Sequence, residues 1–141
     1  MLALASTTYD SVQEWIRAGK PLNAFVCGDC MEGMAAMGDK FAGLAIVDPP
    51  YGITDKVKSS ANGFWGSTVH NMIVKGWDKK PHRNYFDKLL AISRNQIIWG
   101  GNYFLDYLNS TSCFLIWDKM NGTNDLADAE LAWASFKSPV R

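Results

Sequence analysis

Asp48-Pro49-Pro50-Tyr51 sets a carboxylate, two fixed rings and an aromatic side chain in four consecutive positions. That combination suits the capture of an amino group. An exocyclic amine on a nucleobase is a poor nucleophile, because its lone pair is delocalised into the ring. The carboxylate of Asp48 and the carbonyl of Pro49 can each accept one N–H, drawing the lone pair out of conjugation and aiming it at an electrophile, while Tyr51 stacks on the base. Proline fixes φ at about −65° and restricts the residue before it, so both acceptors are preset rather than ordered on binding. The segment also reads as a plain turn, since Pro-Pro followed by Gly52 is ordinary loop punctuation. Context favours the site. Gly43-Leu44-Ala45-Ile46-Val47 is a buried-strand pattern ending at Asp48, and in open α/β sheets ligands bind beyond the carboxyl ends of strands.

The elements that must carry this segment follow from the surrounding pattern. A helix is expected from about Ser11 to Ala18, capped by Asp10 or Ser11, with Glu14 completing a Ser-x-x-Glu box and Gly19 and Pro21 ending it. Asn23 to Cys27 reads as a short buried strand, and Asp29 with Glu32 opens a helix ending near Gly38. With the strand Gly43 to Val47 this makes a β-α-β unit, right-handed if the two strands share a sheet. From Gly52 to about Lys80 periodicity vanishes, and a loop longer than about 15 residues inside a domain is usually functional or disordered. A mobile flap over the base is expected there, at about 54–80. A helix from about Arg83 to Ser93 leads into a strand from Gln96 to Trp99. A short helix near Tyr103 to Leu108, a strand Cys113 to Trp117, a polar loop Asp118 to Asp125 and a strand near Glu130 to Ala134 complete the chain.

The 141 residues fit one domain, with 48% hydrophobic and 20% charged content, globular values without a membrane-length apolar run. The opening Met1-Leu2-Ala3-Leu4-Ala5 is too short and lacks the basic start of a signal peptide, so a soluble, cytoplasmic chain is expected. Fourteen basic and fourteen acidic residues balance to zero net charge, which does not advertise a nucleic-acid binder. Lys75, Lys79, Lys80, His82 and Arg83 nevertheless cluster beside the expected base pocket, either as phosphate contacts or as a solvated face. Three cysteines are too few for a disulfide scaffold. Cys27-Gly28-Asp29-Cys30 lacks the second ligand pair of a closed zinc site, so no metal is expected.

Taken together, these segments resemble the amino-group DNA methyltransferases, which carry an (Asp/Asn/Ser)-Pro-Pro-(Tyr/Phe/Trp) motif and methylate adenine N6 or cytosine N4 with S-adenosylmethionine. The likeness is to the permuted beta class, of phage and prophage type. Cys27-Gly28-Asp29-Cys30-Met31-Glu32-Gly33-Met34 looks like the segment preceding the catalytic motif in that class. Asn95 to Phe104, Leu115 to Lys119 and Ala129 to Ser135 look like its later strands. The resemblance implies a Rossmann-like α/β sheet, catalytic roles for Asp48, Pro49, Pro50 and Tyr51, and contacts from Gly28, Asp29 and Cys30 to the adenosine part of S-adenosylmethionine. DNA is the implied partner, in a modification or restriction-modification setting, and Asp at position 48 leans toward adenine. Asp29 also reads simply as a helix cap.

One departure from the family matters. The chain contains no Gly-x-Gly to cradle the methionine end of the cofactor. In the permuted class that segment follows a target-recognition region, so residues 1–141 look like an N-terminal catalytic half, inactive alone and needing the C-terminal half or a partner chain. The family's strand order, 3-2-1-4-5-7-6, places two absent strands between those ending at Cys27 and Val47, which leaves edges prone to self-association. Two alternatives stand beside this reading: an inactive remnant that binds only nucleic acid or a partner chain, and an RNA or protein amide N-methyltransferase. Trp99, Trp117 and Trp133 are expected in the core. Gly100-Gly101 is expected to serve a tight strand-to-helix turn, and Asp118, Lys119 and Asn121 form a polar loop within possible reach of DNA.

Overall fold

The computed structural model describes residues 6–53, 78–120 and 127–139. Most of the expected flap at about 54–80, Lys75 of the basic cluster, and Asn121 lie outside the described residues.

The chain opens with β1 (Thr7–Tyr9) and α1 (Val12–Arg17). The expected cap forms: Ser11 Oγ accepts the Glu14 N–H at 3.2 Å, and Glu14 Oε2 reaches back to the N–H of Asp10 at 3.1 Å. α1 packs through Val12 and Trp15, both buried, and the Trp15 indole N–H donates to the carbonyl of Pro21 at 3.0 Å. β2 (Ala24–Val26) pairs in parallel with β1, an element the sequence reading did not find. The expectation of a buried strand at 23–27 fails, because Phe25 is 66% exposed. A three-residue strand paired on one side only has too few neighbours to cover its side chains. α2 (Cys30–Ala35) follows and stops short of Gly38.

The main sheet holds β3 (Ala42–Val47), β4 (Ser93–Trp99), β5 (Phe114–Asp118) and β6 (Ala129–Ala134) in the order β3-β4-β6-β5. β3 and β4 are parallel, and β6 runs antiparallel to both β4 and β5. The architecture is mixed α/β. β2 and β3 belong to different sheets, so the β-α-β unit does not close within one sheet. α3 (Arg83–Ile92) buries Phe86, Leu89 and Ile92 at helical spacing against Ile98, Phe104 and Trp133. Each such side chain contributes about 1.5–3 kcal/mol by leaving water. α3 runs into β4 without a loop. The junction is held by Lys40, whose ammonium donates to the carbonyls of Leu90 and Ser93 at 2.7 and 3.0 Å, and by buried Gln96, which donates to Ser93 Oγ at 2.9 Å. The short helix expected near Tyr103 to Leu108 is instead a single 3₁₀ turn, Gly101–Tyr103, followed by turns.

The registers sort the sheet into two unlike faces. Ala45, Val47, Ile98, Phe114 and Trp133 pack with α3 in the core. Leu44, Ile46, Ile97, Trp99, Leu115 and Trp117 line the opposite face. There Ile46 is 62% exposed and Trp117 55% exposed. Trp133 is core as expected, but Trp117 is not, and Trp99 is only half-buried, since no described helix covers their side. No described helix is long and apolar enough to cross a membrane.

Candidate functional site

β3, β4 and β5 run the same way, so their carboxyl ends meet at one end of the sheet, where β6 begins. Asp48 to Tyr51, Gly100 to Tyr103, and Asp118 with Lys119 all emerge there. Asp48 is exposed and Pro49 buried, which roots the segment while leaving the carboxylate in solvent.

The Tyr51 hydroxyl donates to Asp48 Oδ1 at 2.6 Å. Its ring stacks on Tyr103, with centroids 4.9 Å apart and planes 20° from parallel, and meets Phe104 edge-on at 6.1 Å. Burial, then the hydrogen bond to Asp48, hold the hydroxyl pKa well above its ordinary value, with the Glu130 charge adding to the effect. Tyr51 is therefore a neutral donor that keeps one oxygen of Asp48 occupied.

Gly100 explains how the ring fits. Its φ is +63°, and a Cβ there would lie 2.2, 2.5 and 2.6 Å from three consecutive atoms of the Tyr51 ring, the pattern of an atom standing over the ring face. A Cβ on Gly101 would lie 2.4 Å from that of Trp133. Both glycines serve a close-packed turn, as expected, and the first also makes room for Tyr51.

Beyond Tyr51 the backbone is gripped by a residue the sequence reading missed. Asp78 accepts the N–H groups of Gly52 and Ile53 at 2.8 and 2.9 Å. Lys80 places its ammonium 5.7 Å from the centroid of Phe104 and 4.9 Å from that of Tyr107, and Arg83 lies 5.5 Å from Tyr107 while donating to the carbonyl of Asp106 at 2.7 Å. Of the basic cluster, these two cations lie over aromatic rings. Lys119 pairs with Glu130 at 2.5 Å, and Asp118 Oδ1 accepts the N–H of Met120 at 2.8 Å.

Gly28, Asp29 and Cys30 lie at the carboxyl end of β2, on the rim of a cleft of about 390 Å³ walled by α1 and α2 through Val12, Trp15 and Met34. A Cβ on Gly28 would come 2.8 Å from Val12 Cγ2, so glycine here lets α1 approach. Asp29 caps α2, its Oδ1 accepting the N–H groups of Met31 and Glu32 at 2.7 and 3.4 Å. Cys27 and Cys30 are exposed free thiols. Tyr85 is pushed up to about 12 by burial and then by neighbouring Cys30. Its ring meets Phe86 at 5.1 Å, Phe86 meets Phe104 at 5.0 Å, and Phe104 meets Tyr51, so a run of rings leads from Tyr85 on α3 to the Asp48 end of the sheet.

No protein-family model, curated protein or solved structure matches this chain.

Proposed function

We propose that the chain is the amine-binding half of an S-adenosylmethionine-dependent DNA methyltransferase acting on an exocyclic amino group, adenine N6 ahead of cytosine N4. The observation that carries this is the placement of Asp48-Pro49-Pro50-Tyr51 at the end of β3 in a sheet ordered β3-β4-β6-β5, with only β6 reversed. That order corresponds to the 4-5-7-6 portion of the family's sheet, and it arises from pairing rather than from the motif. Free Asp48 oxygen and the Pro49 carbonyl would accept the two N–H groups of the base amine, and Tyr51 would present its ring. S-adenosylmethionine would supply an electrophilic methyl group. Asp48 and the Pro49 carbonyl would hold the amine nitrogen with its lone pair toward that methyl group, and Asp48 or water would take the proton that the methylated nitrogen gives up.

The cleft beside β2 fits the adenosine end of that cofactor: its wall is apolar, and Gly28, Asp29 and Cys30 edge it with a carboxylate. None of the described residues forms a glycine-rich turn for the methionine end. Completion by a C-terminal half or partner chain is part of the proposal, as is self-association through strand edges that no described element covers.

A second reading is favoured by one specific observation. Tyr51 already places its hydroxyl on Asp48 and its ring on Tyr103 and Gly100, the packing expected of a remnant whose motif has become a structural corner. Nucleoside titrations followed by NMR separate the two. Adenosine should shift Asp48 and Tyr51 resonances, and N6,N6-dimethyladenosine, which has no N–H to donate, should not. Equal responses to both, or none at Asp48, would sink the amine site and leave the remnant.

A further inference from the structure

We infer that Asp78 is a positioning residue for the Asp48 to Tyr51 segment, acting through the backbone that leaves it; the inference rests on reading that segment as the amine-binding site. The prolines fix the entry to the site, because their rings set φ at positions 49 and 50. They leave the exit after Tyr51 undetermined. Asp78 fixes it: one carboxylate oxygen accepts the Gly52 N–H at 2.8 Å and the other the Ile53 N–H at 2.9 Å. Successive N–H groups converging on an anion form a backbone nest, and bonds to an ionised acceptor are about twice as strong as neutral ones.

Glycine adopts positive φ without strain and other conformations as readily, so the exit is fixed only by what holds it. Gly52 has φ +70°, and a Cβ there would lie 3.2 Å from the backbone nitrogen of Lys80 and 3.0 Å from its Cβ, so residues 78–80 lie flush against the exit. Lys80 then extends over Phe104, whose ring edge meets Tyr51. Asp78 thus seats the backbone of Tyr51 from one side while Gly100 and Tyr103 seat its ring from the other. Where the ring stands decides whether it can lie against a base held at Asp48.

The test uses the whole chain. Gly100 lies under the Tyr51 ring, so its proton shifts carry that ring's current and report the ring's position. Asp78→Asn replaces one acceptor with an NH₂ group facing an N–H donor. It should move the Gly52 and Ile53 amide protons upfield and diminish the ring-current shift at Gly100, leaving Phe86 and Ile98 resonances in place. Asp78→Glu, which keeps two acceptors, should restore part of the shift. In the adenosine titration Asp78→Asn should weaken binding roughly tenfold, and Asp48→Ala should abolish it. A wild-type shift at Gly100 despite lost Gly52 and Ile53 bonds overturns the inference, and so does a disturbance spread equally through the core. Wild-type adenosine affinity in Asp78→Asn with none in Asp48→Ala overturns the positioning role alone. Unchanged affinity in both variants overturns the amine site itself.

Discussion

Gly100→Ala tests how tightly the candidate site is packed. The new Cβ would lie 2.2 Å from Tyr51 Cε1, at a residue with φ +63°. Left-handed backbone costs a non-glycine residue about 1–2 kcal/mol whatever its neighbours do. The contact must then be relieved either by the backbone or by the ring. The backbone is pinned, since the Gly100 N–H donates to the Leu131 carbonyl at 2.9 Å and the Gly100 carbonyl accepts from Tyr103 at 2.8 Å. The ring therefore yields. Losing the stack on Tyr103 costs about 0.5–1.5 kcal/mol, and losing the hydroxyl bond to exposed Asp48 costs about 1 kcal/mol or less. The total is about 2–4 kcal/mol, readable as a lower urea midpoint at unchanged slope. Gly38→Ala is the control, because nothing lies within 4 Å of its Cβ and its φ is not in the left-handed region; it should change stability by about 0.5 kcal/mol or less. A Gly100→Ala protein as stable as the control would refute this account of Tyr51.

Three further outcomes are expected. Tyr51→Phe should leave adenosine affinity no lower than wild type, because it frees the Asp48 oxygen held at 2.6 Å, whereas Tyr51→Ala should cost about 1–3 kcal/mol of stacking in an oligonucleotide binding assay; equal losses would assign the role to the hydroxyl. In alkali, Tyr85 ionises at about 12 in the folded chain and at about 10 when unfolded. The unfolded state therefore loses its proton first, so stability is full below pH 10 and falls between about 10 and 12, and Tyr51 adds in the same direction. Tyr85→Phe should flatten that fall in a pH series of urea melts, and an unchanged slope would exclude Tyr85 as its source. Titration calorimetry should find S-adenosylmethionine binding to the chain alone weaker than micromolar, since a lost contribution of about 4 kcal/mol lowers affinity about a thousandfold; micromolar binding would show that the cofactor site is complete within these residues.

Local signals were the legible ones. Ser11 and Glu14 announced α1 because the cap is made within four residues, and β3, α3, β4 and β6 emerged from periodicity and punctuation close to their observed bounds. Asp48 at a strand end was legible for the same reason. What depended on distant partners was not. β1 exists only through its pairing with β2, and its three residues carry no apolar pattern of their own. Phe25 and Trp117 look like core residues, and only the absence of a described covering layer leaves them exposed. Asp78 reads as one polar residue in a loop, and its grip on Gly52 and Ile53 spans 26 and 25 positions of chain. Tyr103 likewise gave no sign that its ring stacks on Tyr51, because the intervening fold brings them together.

The sheet face that no described element covers has a calorimetric consequence. Heat capacity of unfolding measures apolar surface newly exposed to water, ordinarily about 12–15 cal/mol/K per residue. Ile46, Leu44, Leu115 and Trp117 are already partly hydrated in the folded chain, so they contribute less to that increment than interior residues of their size. The increment should fall below the ordinary range, and the stability curve should be correspondingly shallow in temperature. A molecule that covers this face transfers the missing increment to its own association, which would carry a negative heat-capacity change. Titrations at several temperatures would then distinguish a partner of the sheet face from a ligand of the Asp48 site, whose small contact area gives little such change.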